Sequence, residues 1–286
     1  MAQGKDIRSK IRSVQSTQKI TRAMQMVAAA KMRKAQDRMR TARPYAESLL
    51  AIMGHVRAAH PEYRHPFLSV RPVERAALLV VTSDRGLAGA LNANVLRVAV
   101  GVLKDWQETG VHGEVAVLGA KGAAYFRRLH APVIAQVAPV GDRPRLESLL
   151  GVIKVLADAY QEARLDRIVL VYNRFQNTMS QTAVVEDLLP LPFLENPPAA
   201  YRWDYLYEPD ARSVISEILT RYVETRVYAA VIENLASEQA ARMVAMRAAT
   251  DNAGRLIGDL KLAYNKARQA AITQELAEIV SGASAV

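Results

Sequence analysis

Residues 210–286 contain no proline and only three glycines, Gly254, Gly258 and Gly282. They are filled with Ala, Leu, Met, Glu, Arg and Gln, all strong helix formers. From Ile218, alternating steps of four and three pass through Tyr222, Thr225, Ala229, Ile232 and Ala236 and cross one polar position at Gln239. They resume at Met243 and Met246 and continue through Thr250, Ala253, Ile257, Leu260 and Tyr264 to Ala267 and Ala271. Small and apolar residues at that spacing form one side of a coiled coil. About 70 helical residues span roughly 105 Å, far more than a compact domain of this size needs. Residues 210–286 are therefore a shaft, and the seam requires a partner helix.

The partner is at the other end. All twelve prolines fall between Pro44 and Pro209, which leaves two proline-free ends and a punctuated middle. A ladder with the same spacing runs through Ala28, Met32, Ala35, Met39, Ala42, Ala46, Leu49, Met53 and Val56. It extends back through Gln25, Thr21 and Gln18 to Val14, Ile11 and Ile7. The ladder stays in phase across Pro44, so this proline is expected to kink the helix over residues 1–58 rather than end it. The two seam helices should pair antiparallel, because they leave and re-enter the middle region close together. The second is longer by about 20 residues, or about 30 Å, and its C-terminal end should project.

Charge is unevenly placed. The chain carries 38 Lys and Arg against 28 Asp and Glu, a net +10. Residues 1–43 hold twelve of the basic residues but only Asp6 and Asp37, so the whole surplus lies there and the remainder is balanced. An Arg-rich, acid-poor start also fits a mitochondrial transit peptide, but one seam continuing past Val56 argues against a removable segment. The first ten residues are too polar for a secretory signal, and no apolar run approaches the ~18 residues needed to cross a bilayer. A soluble, cytoplasmic protein is expected. With no cysteine in the chain, disulfides, thiolate metal sites and thiol switches are excluded.

Residues 75–190 alternate buried apolar runs with amphipathic ones. Residues 76–81, 115–118, 133–137 and 168–172 are expected as buried strands, with helices at 88–106, 122–129 and 146–164. That order predicts a Rossmann-like α/β domain with a mostly parallel sheet. Residues 182–188 can add a strand before a loop over 191–209.

Chemistry is sparse. TSDRGLAG at 82–89 places glycines at a strand-to-helix switch, where nucleotide-binding folds cradle phosphate, but it lacks both G-x-G-x-x-G and the Lys-Ser/Thr ending of a P-loop. A tight turn is the expectation, with Asp84 and Arg85 as a local ion pair. GAKG at 119–122 is a weaker match, and Lys121 is expected to be a solvated residue at a helix start. His55, His60 and His65 recur every five residues, which spreads them around a helix or linker rather than gathering them into a metal site, and His112 and His130 stand alone. No Ser-His-Asp order, H-E-x-x-H or paired-carboxylate signature appears. No catalytic, cofactor or metal site is expected. WDYLYEPD at 203–210 packs three aromatics and three acids together, which suits either an interface or a cap over the sheet. From Gln269 to the end there is no basic residue, and a helix end so poor in charge suits a protein-lined pocket.

Five stretches resemble one family: IRSKIRSVQSTQKITRAMQMVAAAKMRKAQ at 7–36, SDRGLAGALN at 83–92, WDYLYEPD, ENLASEQAARMVAMRAATDNA at 233–253 and YNKARQAAITQELAEIVSGA at 264–283. Together they are similar to the gamma subunit of the F-type ATP synthase over essentially the full length. The resemblance implies a rotor: an antiparallel coiled coil inside a ring of three alpha and three beta subunits, with a globular domain and foot on the membrane c ring and touching epsilon. Proton flow would turn the shaft, and catalysis would belong to beta. It would sit peripherally on the cytoplasmic face of a bacterial plasma membrane, or the matrix face in an organelle. Carried over, it implies that Met24, with Lys19, Arg22 and Lys31, faces an acidic beta loop. Arg242, Arg268, Gln269 and Thr273 would make the polar contacts of the upper shaft, and Ala283 to Val286 would turn in an apolar bearing. Tyr205, Tyr207 and Glu208 would belong to the foot. The cysteine pair inserted in the chloroplast form is missing. The rival function, a basic coiled coil binding nucleic acid or serving as a scaffold, is disfavoured because the basic segment has no aromatic residue before Tyr45 and lies on a seam that must pair. A nucleotide-binding enzyme is disfavoured by the missing phosphate fingerprint.

Overall fold

The computed structural model describes residues 2–59, 65–191, 208 and 210–283. Two long helices bracket the chain, α1 (Ala2–Ala59) and α5 (Ala211–Ala283). α1 continues as helix through Pro44. Between them lie β1 (Arg75–Val81), α2 (Leu91–Glu108), β2 (His112–Leu118), α3 (Ala120–Arg128), β3 (Val133–Val137), α4 (Leu146–Gln161), β4 (Arg167–Phe175) and β5 (Gln181–Leu189). The chain divides into two compact units: Met1–Ala29 with Arg242–Val286, and Ala30–Ala241.

In the second unit the strand order is β3-β2-β1-β4-β5. The first four strands are parallel, and β5 adds antiparallel to β4. The expected extra strand is therefore present, at the sheet edge. Every β1 residue from Ala76 to Val81 is buried, as expected for a central parallel strand covered on both faces. Alternation divides these residues between two cores. Ala76, Leu78 and Val80 pack with Val95 and Ala99 of α2 and Phe126 of α3. Ala77, Leu79 and Val81 belong to the other core, with Leu149, Leu156 and Tyr160 of α4 and Leu219, Val223 and Val227 of α5. Leu49 of α1 joins that second core. α5 is thus one of the helices that cover the sheet.

α2 begins at Leu91, three residues later than the sequence periodicity suggests. The backbone is left-handed at Leu87 (φ 65°) and Gly89 (φ 58°), which a right-handed helix cannot include, and Asn92 in the first turn ties back to the loop: its Oδ1 accepts from Ser83 N at 3.0 Å and its Nδ2 donates to Ser83 Oγ at 2.7 Å.

The first unit is a two-helix coil. Thr21 Oγ1 and Thr250 Oγ1 are 2.7 Å apart, and Gln18 Nε2 donates to Thr250 O at 3.4 Å. Gln18 also lies beside Gly254, so moving back along α1 moves forward along α5, and the pair is antiparallel. From Arg255 to Ala277 only Ile257, Leu260, Tyr264, Ala267 and Ala271 escape full exposure, which is the seam read from the sequence. The Thr21–Thr250 register brings the start of α1 opposite residues near 270. α5 runs on to Ala283, so roughly 13 residues, about 20 Å, extend past it.

Two glycines permit the close approach of the start of α3 to β2 and to Thr82, the residue that follows β1. A Cβ on Gly119, whose φ is +104°, would lie 2.2 Å from the Thr82 carbonyl oxygen, and one on Gly122 would lie 2.8 Å from Val117 Cγ1. Gly119→Ala should lower stability by about 3 kcal/mol through strain and clash. Gly151→Ala, on an exposed turn of α4 with nothing within 4 Å, should raise it by about 0.5–1 kcal/mol. Urea unfolding followed through Trp106, which is buried in the domain, measures both; midpoint shifts of the same sign would contradict the packing described.

Candidate functional site

In a sheet of this order the chain reverses its winding between β1 and β4, and ligands of such folds bind outside the carboxyl ends of the strands at that switch. Here α5 occupies the position. The cavity left among Ser83, Asp84, Gly141, Asn234, Leu235 and Glu238 is about 20 Å³, room for about one water.

α5 is held there by polar groups. Pairing of β4 with β1 stops at Val171, while pairing with β5 continues to Phe175, so the end of β4 has backbone groups without a β1 partner. Asn234 Oδ1 accepts from Asn173 N at 3.3 Å and from Asn173 Nδ2 at 2.9 Å. Ser237 Oγ donates to Asn173 O at 3.0 Å, and Glu233 Oε1 accepts from Phe175 N at 3.0 Å. Asn173, Asn234 and Ser237 are at most 3% exposed, and buried polar groups hold their place when satisfied. On the same stripe of α5, Arg226 pairs with Glu186 of β5, which also receives Arg174 and the Tyr172 hydroxyl, the latter at 3.2 Å. Burial, followed by the nearby Glu233 charge, pushes the Tyr172 hydroxyl up to about 12. Burial likewise raises Glu233 above the usual carboxylate range, against the pull of the Phe175 N–H and Arg174.

Asp84 departs from the expected pairing with Arg85. Its Oδ1 accepts from Ala120 N at 2.9 Å and Val140 N at 3.2 Å, and its Oδ2 from Gly141 N at 2.7 Å. Backbone amides at the start of a helix favour an anion, and here the protein's own carboxylate takes that place. Thr82 Oγ1 accepts from Gly122 N at 2.9 Å, closing the GAKG segment in the same way. TSDRGLAG is therefore a tight turn, and Lys121 is exposed. His65 is buried, accepts from Phe67 N through Nδ1 at 3.1 Å and lies 3.2 Å from Ser216 Oγ through Nε2. Burial and then the Arg212 charge lower its pKa. His60 lies outside the described residues. No group of three His, Cys, Asp or Glu among the described residues could hold a metal.

The remaining site residues are spread along the helices. Lys19 and Arg22 are exposed, and Met24, one helical turn from the seam residues Thr21 and Ala28 on either side, is half-buried at the edge of the seam. Lys31 Nζ is 2.7 Å from Asp142 Oδ2. Arg242 is half-buried; Arg268, Gln269 and Thr273 are exposed, and Thr273 Oγ1 donates to Gln269 O at 2.9 Å. Further along, Ile272, Leu276, Ile279 and Val280 are 48–69% exposed. Ala283 closes α5 and Glu208 is exposed, whereas Tyr205, Tyr207 and Val286 lie outside the described residues. The α5 grip escaped the sequence reading, because Asn173 and Asn234 are 61 positions apart. Its trace in the sequence was four polar residues, Asn234, Ser237, Glu238 and Gln239, close together in a helix whose neighbours are apolar.

A Rossmann-like domain whose switch crevice is filled by its own helix, with that helix pairing antiparallel to a second long one, is an α/β domain carried on a two-helix coiled coil. The ATP synthase family model matches residues 3–286, and the chain belongs to the ATP synthase gamma chain family. It is 55% identical to the ATP synthase gamma chains of Stenotrophomonas maltophilia (strain R551-3) and Xanthomonas campestris pv. campestris (strain B100), covering 100% of both chains in each pairing. The fold is similar to a chain of the Euglena gracilis mitochondrial ATP synthase OSCP/F1/c-ring structure, with a TM-score of 0.69, 22% identity and coverage of 99% of this chain and 94% of that one. It is also similar to one in the Tetrahymena thermophila mitochondrial ATP synthase central stalk/c-ring structure, with a TM-score of 0.60, 24% identity and coverage of 80% and 99%. No helix among the described residues is long and apolar enough to cross a membrane.

The raised pKa of Glu233 has a definite sign. The folded state holds this proton more tightly than the unfolded chain, so the contribution is fully present below the ordinary value of 4.5 and is lost as pH rises through the folded pKa. Glu233→Gln keeps an oxygen to accept from Phe175 N and removes the titration. Its stability relative to the parent should therefore rise between pH 4.5 and pH 8, as read from urea midpoints; a constant difference would mean that Glu233 titrates normally.

Proposed function

We propose that this chain is the central rotor shaft of an F-type ATP synthase. It carries torque between a membrane c ring, driven by proton flow, and a catalytic ring of three alpha and three beta subunits, with epsilon bound beside the foot. The carrying observation is the full-length match to gamma chains at 55% identity. The antiparallel helix pair suits a shaft, and the apolar end of α5 suits a bearing. The excess positive charge on the outward face of α1 suits a ring whose loops are acidic, since opposite charge across a sliding contact guides encounter without a fixed lock.

In this reading catalysis belongs to the beta subunits. The switch crevice is filled by α5, and the amides that could cradle phosphate are taken by Asp84. The isolated chain should neither bind ATP at micromolar concentration nor hydrolyse it, and turnover that persists after removal of contaminating ATPase would overturn the rotor reading. The subunit works at the cytoplasmic face of a plasma membrane, or the matrix face of an organelle, and is peripheral through its partners. Lys19, Arg22 and Met24 face a beta loop; Arg242, Arg268, Gln269 and Thr273 make the upper contacts; the segment from Ala283 to Val286 turns in the bearing; and Tyr205, Tyr207 and Glu208 stand on the c ring.

Two comparisons test these assignments in the assembled complex. Met24→Lys adds a cation facing an acidic loop and should lower the protons pumped per ATP hydrolysed, whereas Met24→Leu should leave that ratio unchanged; equal coupling removes Met24 from the interface. A proline at Ala249 removes a helix hydrogen bond in mid-seam and costs about 3 kcal/mol or more, so it should abolish ATP synthesis in membrane vesicles. Deletion of residues 281–286, past the seam, should be tolerated. Normal synthesis with the proline and none with the deletion would refute a continuous shaft.

A further inference from the structure

The loop between β3 and α4, residues 138–145, has no part in the assignments above, yet it reaches α1. Asp142 Oδ2 accepts from Lys31 Nζ at 2.7 Å, and the Asp142 carbonyl accepts from Arg38 Nη1 at 3.5 Å. Lys31 and Arg38 are two turns apart and share one face of α1, next to the seam face with Met32, Ala35 and Met39. The loop is anchored behind, because Val140 N and Gly141 N donate to the Asp84 carboxylate, which also receives Ala120 N. A hydrogen-bonded path therefore leads from the carboxyl end of β1, through Asp84 and the loop, to α1. α5 has its own grip through Arg226, Glu233, Asn234 and Ser237. Both grips bracket one small apolar contact, where Ala35 packs on Leu235 and Ala236 with Met39 and Phe175 alongside.

We propose that residues 138–145 are a strut that fixes α1 to the α/β domain, with Asp142 as its positioning residue, so that torque enters both helices of the coil and not α5 alone. This rests on the rotor reading and deepens it. The physical need lies in the seam at this level: alanine knobs are shallow and give little resistance to one helix slipping past the other, so α1 requires a lateral restraint that α5 obtains from its buried hydrogen bonds. The ion pair itself is 40% and 49% exposed, and such pairs add little to stability. Its use is directional. Lys31 then acts inside the subunit rather than on a beta loop.

The test uses the assembled complex with Lys31→Glu, Asp142→Lys and the double charge swap. Protons pumped per ATP hydrolysed are measured together with the urea midpoint of the free subunit. Each single variant should lower coupling about twofold and the double should recover most of it, as expected for two groups that act through each other, with urea midpoints close to the parent in all three. No loss in the single variants, or a loss that the double does not recover, overturns the strut; an unrecovered loss in Lys31→Glu places that lysine on a partner subunit. Failure of the parent complex to couple at all would overturn the rotor reading instead, so the two failures are distinct.

Discussion

The seat of α5 across the carboxyl ends of β1 and β4 is the interaction on which the domain depends. β4 outruns β1, and its exposed backbone groups would be buried without partners if α5 carried only apolar side chains. Asn234, Ser237 and Glu233 satisfy them, and an unmade buried hydrogen bond costs more than a made one contributes. The same seat places Val223, Val227 and Val231 in the core. One helix thus caps a strand, covers a sheet face and continues as half of a coil.

Closing the crevice in this way changes what a familiar architecture can do. A parallel sheet with its winding reversed between two strands presents converging amides and a cleft, which usually serve a nucleotide. Here the cleft holds a helix and the amides hold Asp84, so the groups that would recognise phosphate instead tie three segments of the domain together. These bonds stiffen the domain. That suits a subunit whose work is mechanical, where a cleft able to open would be a point of compliance.

How far the site could be read in advance follows the range of the interactions involved. Strands β1, β2, β3 and β4 are short apolar runs, and the two seams repeat every three and four residues, so local pattern was enough to find them. The strand β5 and its place at the edge were open in the sequence, because its burial alternates weakly. The start of α2 was misplaced by three residues because the backbone turns left-handed at Leu87 and Gly89, and for a leucine that conformation is imposed by the fold and not by its own preference. The role of Asp84 was misread because its three donors come from residues 36, 56 and 57 positions away, and nothing near Asp84 in the chain foretells them.

The amino-acid order by itself determined the two long helices, their shared seam, the surplus of positive charge on the first and the lack of basic residues at the end of the second. These follow from propensity and spacing over neighbouring turns, where each residue's contribution is nearly independent of the rest of the fold. Tertiary structure alone decided that α5 fills the switch crevice, that Asp84 rather than a ligand meets the α3 amides, and that Lys31 meets Asp142. In each case the partner is supplied by a distant segment whose position exists only after the sheet has formed, so hydrogen-bond complementarity between those segments is a property of the folded chain.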